Sequence, residues 1–544
     1  MITPFSITFG SRGGHCFVTI LVLPPLYDWM EMPRYAAVDI GSNSVKLKVA
    51  EVRPGSPVET LVDSREVTRL GTGVFRSGFI EESAMDHMAD VLARLGEVIQ
   101  KHDATTVRAV ATSAVRDASN GAEFVARGSA SLGSKVEIIS GQEEARLIYL
   151  GVDSTWPQPD GRSMIIDVGG GSAEIIIGEN RHMVNGISRP LGAVRLTEMF
   201  LHSDPPTPSE AMQLNHFIDE KLGVVLRLIG SQEVTRVVGT SATAAALVCA
   251  IHGIPRSKRS EADRLSVSAT QVHDLARELA SMSLASRRKV DGIGPRRAEI
   301  IVAGAAVYSR ILKAFRLPTL SHSAAGLRDG IIADLTARGV GREFTHLTPE
   351  QTQVVDALAQ RFGVSIQHGK RVAALAHHLF EALQPLHCLP ANTGKLLEAA
   401  ACLIDTGHYI SNVSHHKHSA YIVENADLPG FTEQERRLIA LLCRYHRKAM
   451  PSARHQAFQD LGVDAKRTIL YLTPLIRIAD SLLGDLDHDV SDLQLEVFGD
   501  KVRITVVSDD PSLDLWAAEQ AAKVFRDVYG IGITYHSKRG ISAA

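Results

Sequence analysis

Tyr35-Ala-Ala-Val-Asp39-Ile-Gly-Ser-Asn-Ser44 and Met164-Ile-Ile-Asp167-Val-Gly-Gly-Gly-Ser172 repeat one pattern, an apolar run that ends on an aspartate and breaks into a short loop of glycine and serine. Glycine lacks a Cβ and lets backbone N–H groups approach an anion closely, and serine and asparagine add side-chain donors. Gly41, Ser42, Asn43 and Ser44, with Gly169, Gly170, Gly171 and Ser172, are therefore candidate phosphate-binding residues. A carboxylate beside a phosphate cradle repels the ligand unless a cation lies between them, so Asp39 and Asp167 point to a Mg2+-assisted site. An ordinary strand-end turn is the alternative reading of either loop alone. Two such loops about one domain length apart suggest two half-domains closing over one phosphorylated substrate.

The segment after loop one, Val45-Lys-Leu-Lys-Val-Ala-Glu-Val52, alternates like a strand, so the loop joins a β-hairpin. In a P-loop a helix would follow. Loop two repeats the logic with Met164–Asp167 before it and Ala173-Glu174-Ile-Ile-Ile-Gly178 after it, which suggests duplicated halves. Glu174 lies just past that loop, within reach of the same cation or of a salt bridge. Residues 80–101 read as a helix and Val107–Ala111 as a strand leading to Arg116, whose guanidinium can bind a phosphoryl oxygen bidentately or form a surface ion pair. Val136–Ile139 is a further strand, followed by Ser140-Gly-Gln-Glu143-Glu144 as a helix start. Acids there serve the macrodipole; the other reading is that one carboxylate faces the cleft and orients or deprotonates water. Arg236-Val-Val-Gly239-Thr-Ser-Ala-Thr243 is a candidate third ligand-facing turn.

The chain has 544 residues, 45% of them hydrophobic and 22% charged, and a formal net charge of -3. That describes a multi-domain globular protein. The near-neutral balance excludes one that coats nucleic acid electrostatically, and any polyanion must be met by clustered charge. Cys16, Cys249, Cys388, Cys402 and Cys443 are dispersed and form no C-x-x-C pair, so neither a disulfide framework nor a zinc knuckle is indicated and a reducing cytoplasm is expected. Cys16 to Leu26 is apolar but too short to span a bilayer, and lacks the charges and cleavage site of a signal peptide. Residues 1–33 are expected to be an unstructured extension, with the functional chain starting near Met30 or Met32 and no stable membrane insertion.

Several ordered motifs together carry a resemblance. Asp39-Ile-Gly-Ser-Asn-Ser44, Ala111-Thr-Ser-Ala-Val-Arg116-Asp-Ala, Ile139-Ser-Gly-Gln-Glu-Glu144-Ala-Arg-Leu-Ile, Asp167-Val-Gly-Gly-Gly-Ser172, Gly239-Thr-Ser-Ala-Thr243 and Ala325-Gly-Leu-Arg-Asp-Gly330 resemble the bacterial exopolyphosphatase and guanosine pentaphosphate phosphohydrolase family, within the actin-like ATPase and sugar-kinase superfamily. The resemblance implies an α/β fold with a duplicated, ribonuclease H-like two-lobe core. It also implies Mg2+-dependent hydrolysis, with Mn2+ as a possible substitute, of a terminal phosphoanhydride of inorganic polyphosphate, or alternatively of guanosine pentaphosphate. Glu144 then corresponds to the water-activating base and Arg116 to a phosphate-binding catalytic residue. Asp39, Asp167 and Glu174 correspond to the metal site. A sugar kinase or non-hydrolytic sensor on the same scaffold is a remote alternative, which the retention of Glu143 and Glu144 opposes.

From about residue 345 the pattern becomes helical, with amphipathic segments near 350–362, 368–384, 395–404, 433–444 and 466–483. His368, His408, His415, His416, His418 and His446, with Asp405 and Asp480, resemble an HD phosphohydrolase fold, but the His-Asp pair that would anchor a metal reads Ile404-Asp405. Isoleucine cannot ligate. His415, His416, Lys417 and His418, with Arg444, His446, Arg447 and Lys448, concentrate donors and positive charge. They are read either as a solvated face or as a polymer channel for processive shortening, the latter as long-chain family members imply. The tail alternates strands (Leu493–Phe498, Lys501–Val507, Gly532–Tyr535) with a helix (Asp514–Tyr529), and packing or homodimer formation is its expected use. The expected organisation is lobe I over 34–157, lobe II over 158–340, an HD-like helical domain over 345–487 and a small α+β module over 488–544.

Overall fold

The computed structural model describes residues 33–53, 56–158, 160–230, 233–338, 345–483, 490–498, 501–508 and 515–538. The N-terminal extension, apart from Pro33, lies outside the described residues. The first sheet holds β1 (Arg34–Ile40), β2 (Val45–Glu51), β3 (Glu59–Glu66), β4 (Thr106–Ala111) and β5 (Val136–Ile138) in the order β3-β2-β1-β4-β5. The second holds β6 (Arg162–Val168), β7 (Ala173–Glu179), β8 (His182–Arg189), β9 (Arg236–Thr240), β10 (Ser266–Ser268) and β11 (Thr319–His322) in the order β10-β11-β9-β6-β7-β8. In each, three antiparallel strands form a meander and two further strands add in parallel beside the first, with β10 pairing antiparallel to β11 at the edge of the second sheet. The sequence β3-β2-β1-β4-β5 is thus matched by β8-β7-β6-β9-β11, with β10 as an added edge. The duplication suggested by the two loops extends to the whole sheet.

The period of two along a strand decides where the aspartates point. Ala36, Val38 and Ile40 join the core on the outer side of the first sheet, whereas Tyr35 and Ala37 join the core between the sheets. Asp39 follows the second set. Likewise Met164, Ile166 and Val168 belong to the outer core of the second sheet and Ile165 to the shared one, which sends Asp167 inward. Both strands are buried on both faces, which is why they read as unbroken apolar runs rather than as alternation.

Two helices, Gly141–Thr155 and Leu327–Arg338, contribute to that shared core and cross at backbone contact. A Cβ at Gly330 would lie 1.7 Å from Leu147 O and one at Gly151 2.1 Å from Gly326 O, so the crossing requires glycine. Helices Pro349–Arg361, Ile366–Ala382, Gly394–Leu403, His415–Asn425, Glu433–Tyr445 and Val463–Leu483 follow. Beyond them β12 (Val490–Phe498), β13 (Lys501–Ser508), helix Leu515–Tyr529 and β14 (Gly532–Lys538) form a three-stranded sheet with a helix. Val502, Ile504, Phe525 and Ile533 share one buried cluster with the helices before them.

A chain of buried charges fastens the helical part to the core. Arg108 on β4 bonds Glu137 at 2.7 Å, Glu143 at 2.9 Å and Asp334 at 2.8 Å. Arg146 bonds Glu143 at 2.7 Å and Asp334 at 2.8 Å. Arg338 continues it from Asp334 at 2.7 Å to Glu435 at 3.0 Å, and the Gly430 N–H donates to Glu143 at 2.9 Å. Among the described residues the cysteines are free and no helix is long and apolar enough to cross a membrane.

Candidate active site

The two loops close with the same bond. Gly41 N–H donates to Ser44 O at 3.1 Å, and Gly169 N–H to Ser172 O at 3.0 Å. They face each other closely, since a Cβ at Gly170 would lie 3.0 Å from Ser42 Cβ and 3.3 Å from Asn43 N. Ser42 is fixed by its carbonyl, which accepts from Gly71 N–H at 2.7 Å, and by its hydroxyl, 3.0 Å from that of Ser113. A cavity of about 410 Å³ opens between the lobes, lined by Gly41, Ser42, Asn43, Ser44, Gly169, Gly170 and Ser172. Gly171, expected among them, instead packs. A Cβ there would meet Ser113 Oγ at 2.3 Å and the Phe75 ring at 2.4 Å, and its carbonyl accepts from Arg195 Nε at 2.7 Å.

Asp39, Glu144, Asp167 and Glu174 all line the cavity and are all buried. Burial pushes Glu144 up to about 7, with Asp39 and Asp167 adding to the rise against the pull of Arg116. Burial also raises Glu174, with Glu144 and Asp167 as further causes, and it raises Asp167 despite nearby Lys46. These carboxylates lack sufficient countercharge within the protein, and hard oxygen donors in that condition suit Mg2+ or Mn2+. Asp39 differs, because Lys46 Nζ lies 2.7 Å from its Oδ2. Of the three acids expected to ligate, Asp39 has its charge answered by the chain itself. Ser188 orients Glu174 by donating to its carboxylate at 2.7 Å.

The same cavity also holds basic side chains. Arg65, Arg259 and Arg297 line it, from β3, a short 3-10 turn and a loop respectively. Burial and mutual repulsion push Arg297 down to about 9 and Arg259 down to about 10, and Arg65 is lowered too, burial being the first cause in each case. Arg65 Nε donates to Ser44 Oγ at 3.2 Å, tying this group to loop one. Guanidiniums gathered in this way suit an anion. None of the three belongs to a sequence pattern. They stand far apart in the chain, so only the fold could reveal them.

Arg116 lies behind Glu144 rather than on the cavity wall. Its guanidinium donates to Ile139 O at 2.8 Å and to Glu144 Oε2 at 3.3 Å, so here it holds the carboxylate. The two glutamates at the start of the Gly141–Thr155 helix take different places. Glu144 enters the cavity while Glu143 joins the buried charge chain and is held below its ordinary range, Arg146 and Arg108 outweighing burial. The expected polymer-channel residues also divide. Lys417, Arg447 and Lys448 are exposed, and His418 and Arg444 are half-buried. His415, His416 and His446 are buried, because the helical period turns the first two inward with Ser419, Ala420, Ile422 and Val423. Those three cannot touch a polymer lying on the surface.

A cavity lined by buried acids and arginines, set between duplicated α/β lobes and two glycine loops, suits a protein that handles phosphoryl groups. The model of the Ppx/GppA phosphatase family matches residues 48–338, and that of Ppx/GppA phosphatase, domain III, matches residues 351–518. The chain belongs to the Ppx/GppA phosphatase family, as its motifs had implied. A guanosine-5'-triphosphate,3'-diphosphate pyrophosphatase of Photobacterium profundum is 28% identical over 468 residues, covering 84% of this chain and 88% of that protein. One of the same name from Aeromonas hydrophila subsp. hydrophila is 28% identical over 453 residues, covering 82% and 87%. Among solved structures, an exopolyphosphatase from Cytophaga hutchinsonii is 28% identical with a TM-score of 0.51, covering 55% of this chain and 96% of that one.

Proposed function

We propose that this chain hydrolyses the terminal 5'-phosphoanhydride of guanosine pentaphosphate and releases orthophosphate. The observation that carries the reaction class is that one cavity is lined both by three mutually repelling guanidiniums, Arg65, Arg259 and Arg297, and by three under-compensated carboxylates, Glu144, Asp167 and Glu174. The names of the two relatives support the nucleotide as substrate. Inorganic polyphosphate, the first expectation from the motifs, stands as the second reading, supported by the solved exopolyphosphatase.

In this reading the loop N–H groups and the hydroxyls of Ser42, Ser44 and Ser172 receive the terminal phosphoryl group, and Arg65, Arg259 and Arg297 offset the charge behind it. Glu144, steadied by Arg116, takes a proton from water as the water oxygen bonds to phosphorus. The bond from phosphorus to the bridging oxygen breaks, and that oxygen leaves with the electron pair on the shortened phosphate chain. Asp167 and Glu174 would hold Mg2+ or Mn2+, which would supply neutralisation of phosphoryl charge. The test is orthophosphate release, compared by kcat/KM, from guanosine pentaphosphate, tripolyphosphate and long polyphosphate. Preference for the nucleotide supports the first reading and preference for the long polymer replaces it with the second. Absence of release from all three, with Mg2+ present, removes both.

A further inference from the structure

The buried histidines that leave the surface of the helical part gather with an aspartate at a second place. One possible ligand atom each of Asp405, His408 and His415 lies within 4.8 Å of the others. His415 Nε2 is also 3.1 Å from His446 Nε2. The other nitrogen of each of these two rings faces a backbone carbonyl, His446 Nδ1 at 2.6 Å from Cys443 O and His415 Nδ1 at 3.4 Å from Asn412 O. A carbonyl only accepts, so each Nδ1 carries the hydrogen. Both Nε2 atoms then present lone pairs to each other, an arrangement that is repulsive unless something positive lies between them. Imidazole whose far nitrogen donates to a carbonyl is also the form in which histidine ligates metals. His408 completes the pattern by placing its own Nδ1 2.8 Å from Asn412 Oδ1, with Nε2 3.5 Å from Asp405 Oδ1.

We propose that Asp405, His408 and His415, with His446 beside His415, form a binding site for a borderline transition metal ion, Zn2+ by the chemistry of the set, separate from the cleft between the lobes. Three imidazoles and one carboxylate are a nitrogen-rich set that Zn2+ accepts and Mg2+ does not favour. The four residues come from three segments: the turn after helix Gly394–Leu403, the start of helix His415–Asn425 and the end of helix Glu433–Tyr445. An ion there ties the three together, and the half-buried Asp405 and exposed His408 give it a way in. The site keeps Asp405 of the degraded His-Asp pair and does without the position that Ile404 occupies.

The experiment uses the full chain, stripped with a chelator and then equilibrated with Zn2+ in a large excess of Mg2+, which competes for the carboxylates of the cleft. Metal content and thermal unfolding are measured for the wild type, His408→Asn and Asp405→Asn. Both variants change side chains outside the core, so failure to fold is not expected, and His446→Gln is added where circular dichroism shows it folded. The expected result is about one more Zn2+ per chain in the wild type than in either variant. A zinc-dependent rise in Tm should be lost in both variants. Co2+ in place of Zn2+ should give visible absorption in the wild type that His408→Asn lacks. Equal zinc content in all three proteins, or a wild type that retains none, overturns the site and leaves a proton shared between His415 and His446 as the explanation of their contact.

Discussion

The hairpins β1–β2 and β6–β7 have loops of the same length and the same register, yet they carry opposite answers to one question. In the first, Asp39 stands opposite Lys46, and in the second Asp167 stands opposite Glu174. The lysine forms an ion pair with its aspartate at 2.7 Å. The glutamate adds a second buried carboxylate, and both acids of that pair are raised. Duplication preserved the backbone and divided the charge. Loop one thereby keeps cations of its own, Lys46 at Asp39 and Arg65 at Ser44, whereas the acids beside loop two are left under-compensated.

The largest effect that tests this division is expected at Glu144. Glu144→Gln should lower kcat for orthophosphate release by about 10²- to 10⁴-fold with little change in KM, as loss of a general base does. Near-wild-type turnover would detach water activation from the acidic side. Its neighbour gives the contrast in stability, because Glu143→Gln breaks a buried charge network and should cost about 3–5 kcal/mol in denaturant unfolding. Next come the two residues that differ between the hairpins. Glu174→Gln should raise the Mg2+ concentration giving half-maximal rate by roughly tenfold, in line with the loss of a metal-supporting group, whereas Lys46→Gln should lower it by freeing Asp39. Shifts in one direction for both variants would break the comparison.

The smallest effect concerns pH. Glu144 rises from 4.5 to about 7 in the folded protein, chiefly through burial. Folding therefore gains from its protonated form, and that gain is complete below the unfolded value and lost as pH climbs through about 7. Without divalent cation, Tm should fall by a few degrees between pH 6 and pH 8. Added Mg2+ should recover more at pH 8 than at pH 5, and Asp167→Asn should flatten the trend. A Tm that rises over this interval would contradict the sign.

The sequence made the centre of each lobe legible, because β1 and β6 are buried on both faces and so read as continuous apolar runs ending at an aspartate. It did not reveal β3 and β8. These complete the two meanders, but Glu59–Glu66 and His182–Arg189 are largely polar and mostly exposed or half-buried, so no alternation marks them. The acids of the cavity could be anticipated because they flank glycine loops or open a helix. The arginines could not, since Arg65, Arg259 and Arg297 converge only through the packing of separate elements. The positive run at 415–418 shows the opposite failure. Its charges suggested one surface, while the helical period sent two of its histidines into the interior.

The buried charge chain through Glu143 has a consequence for how the parts of the molecule communicate. One peptide bond separates Glu143, which holds Gly430 and faces the arginines, from Glu144 in the cavity. Removing any one link strands a counter-charge away from water, so the chain has no inexpensive half-open state. It works as a latch rather than a tether. Whatever engages the helical part must either carry the helix that bears Glu144 along with it or spring the latch altogether.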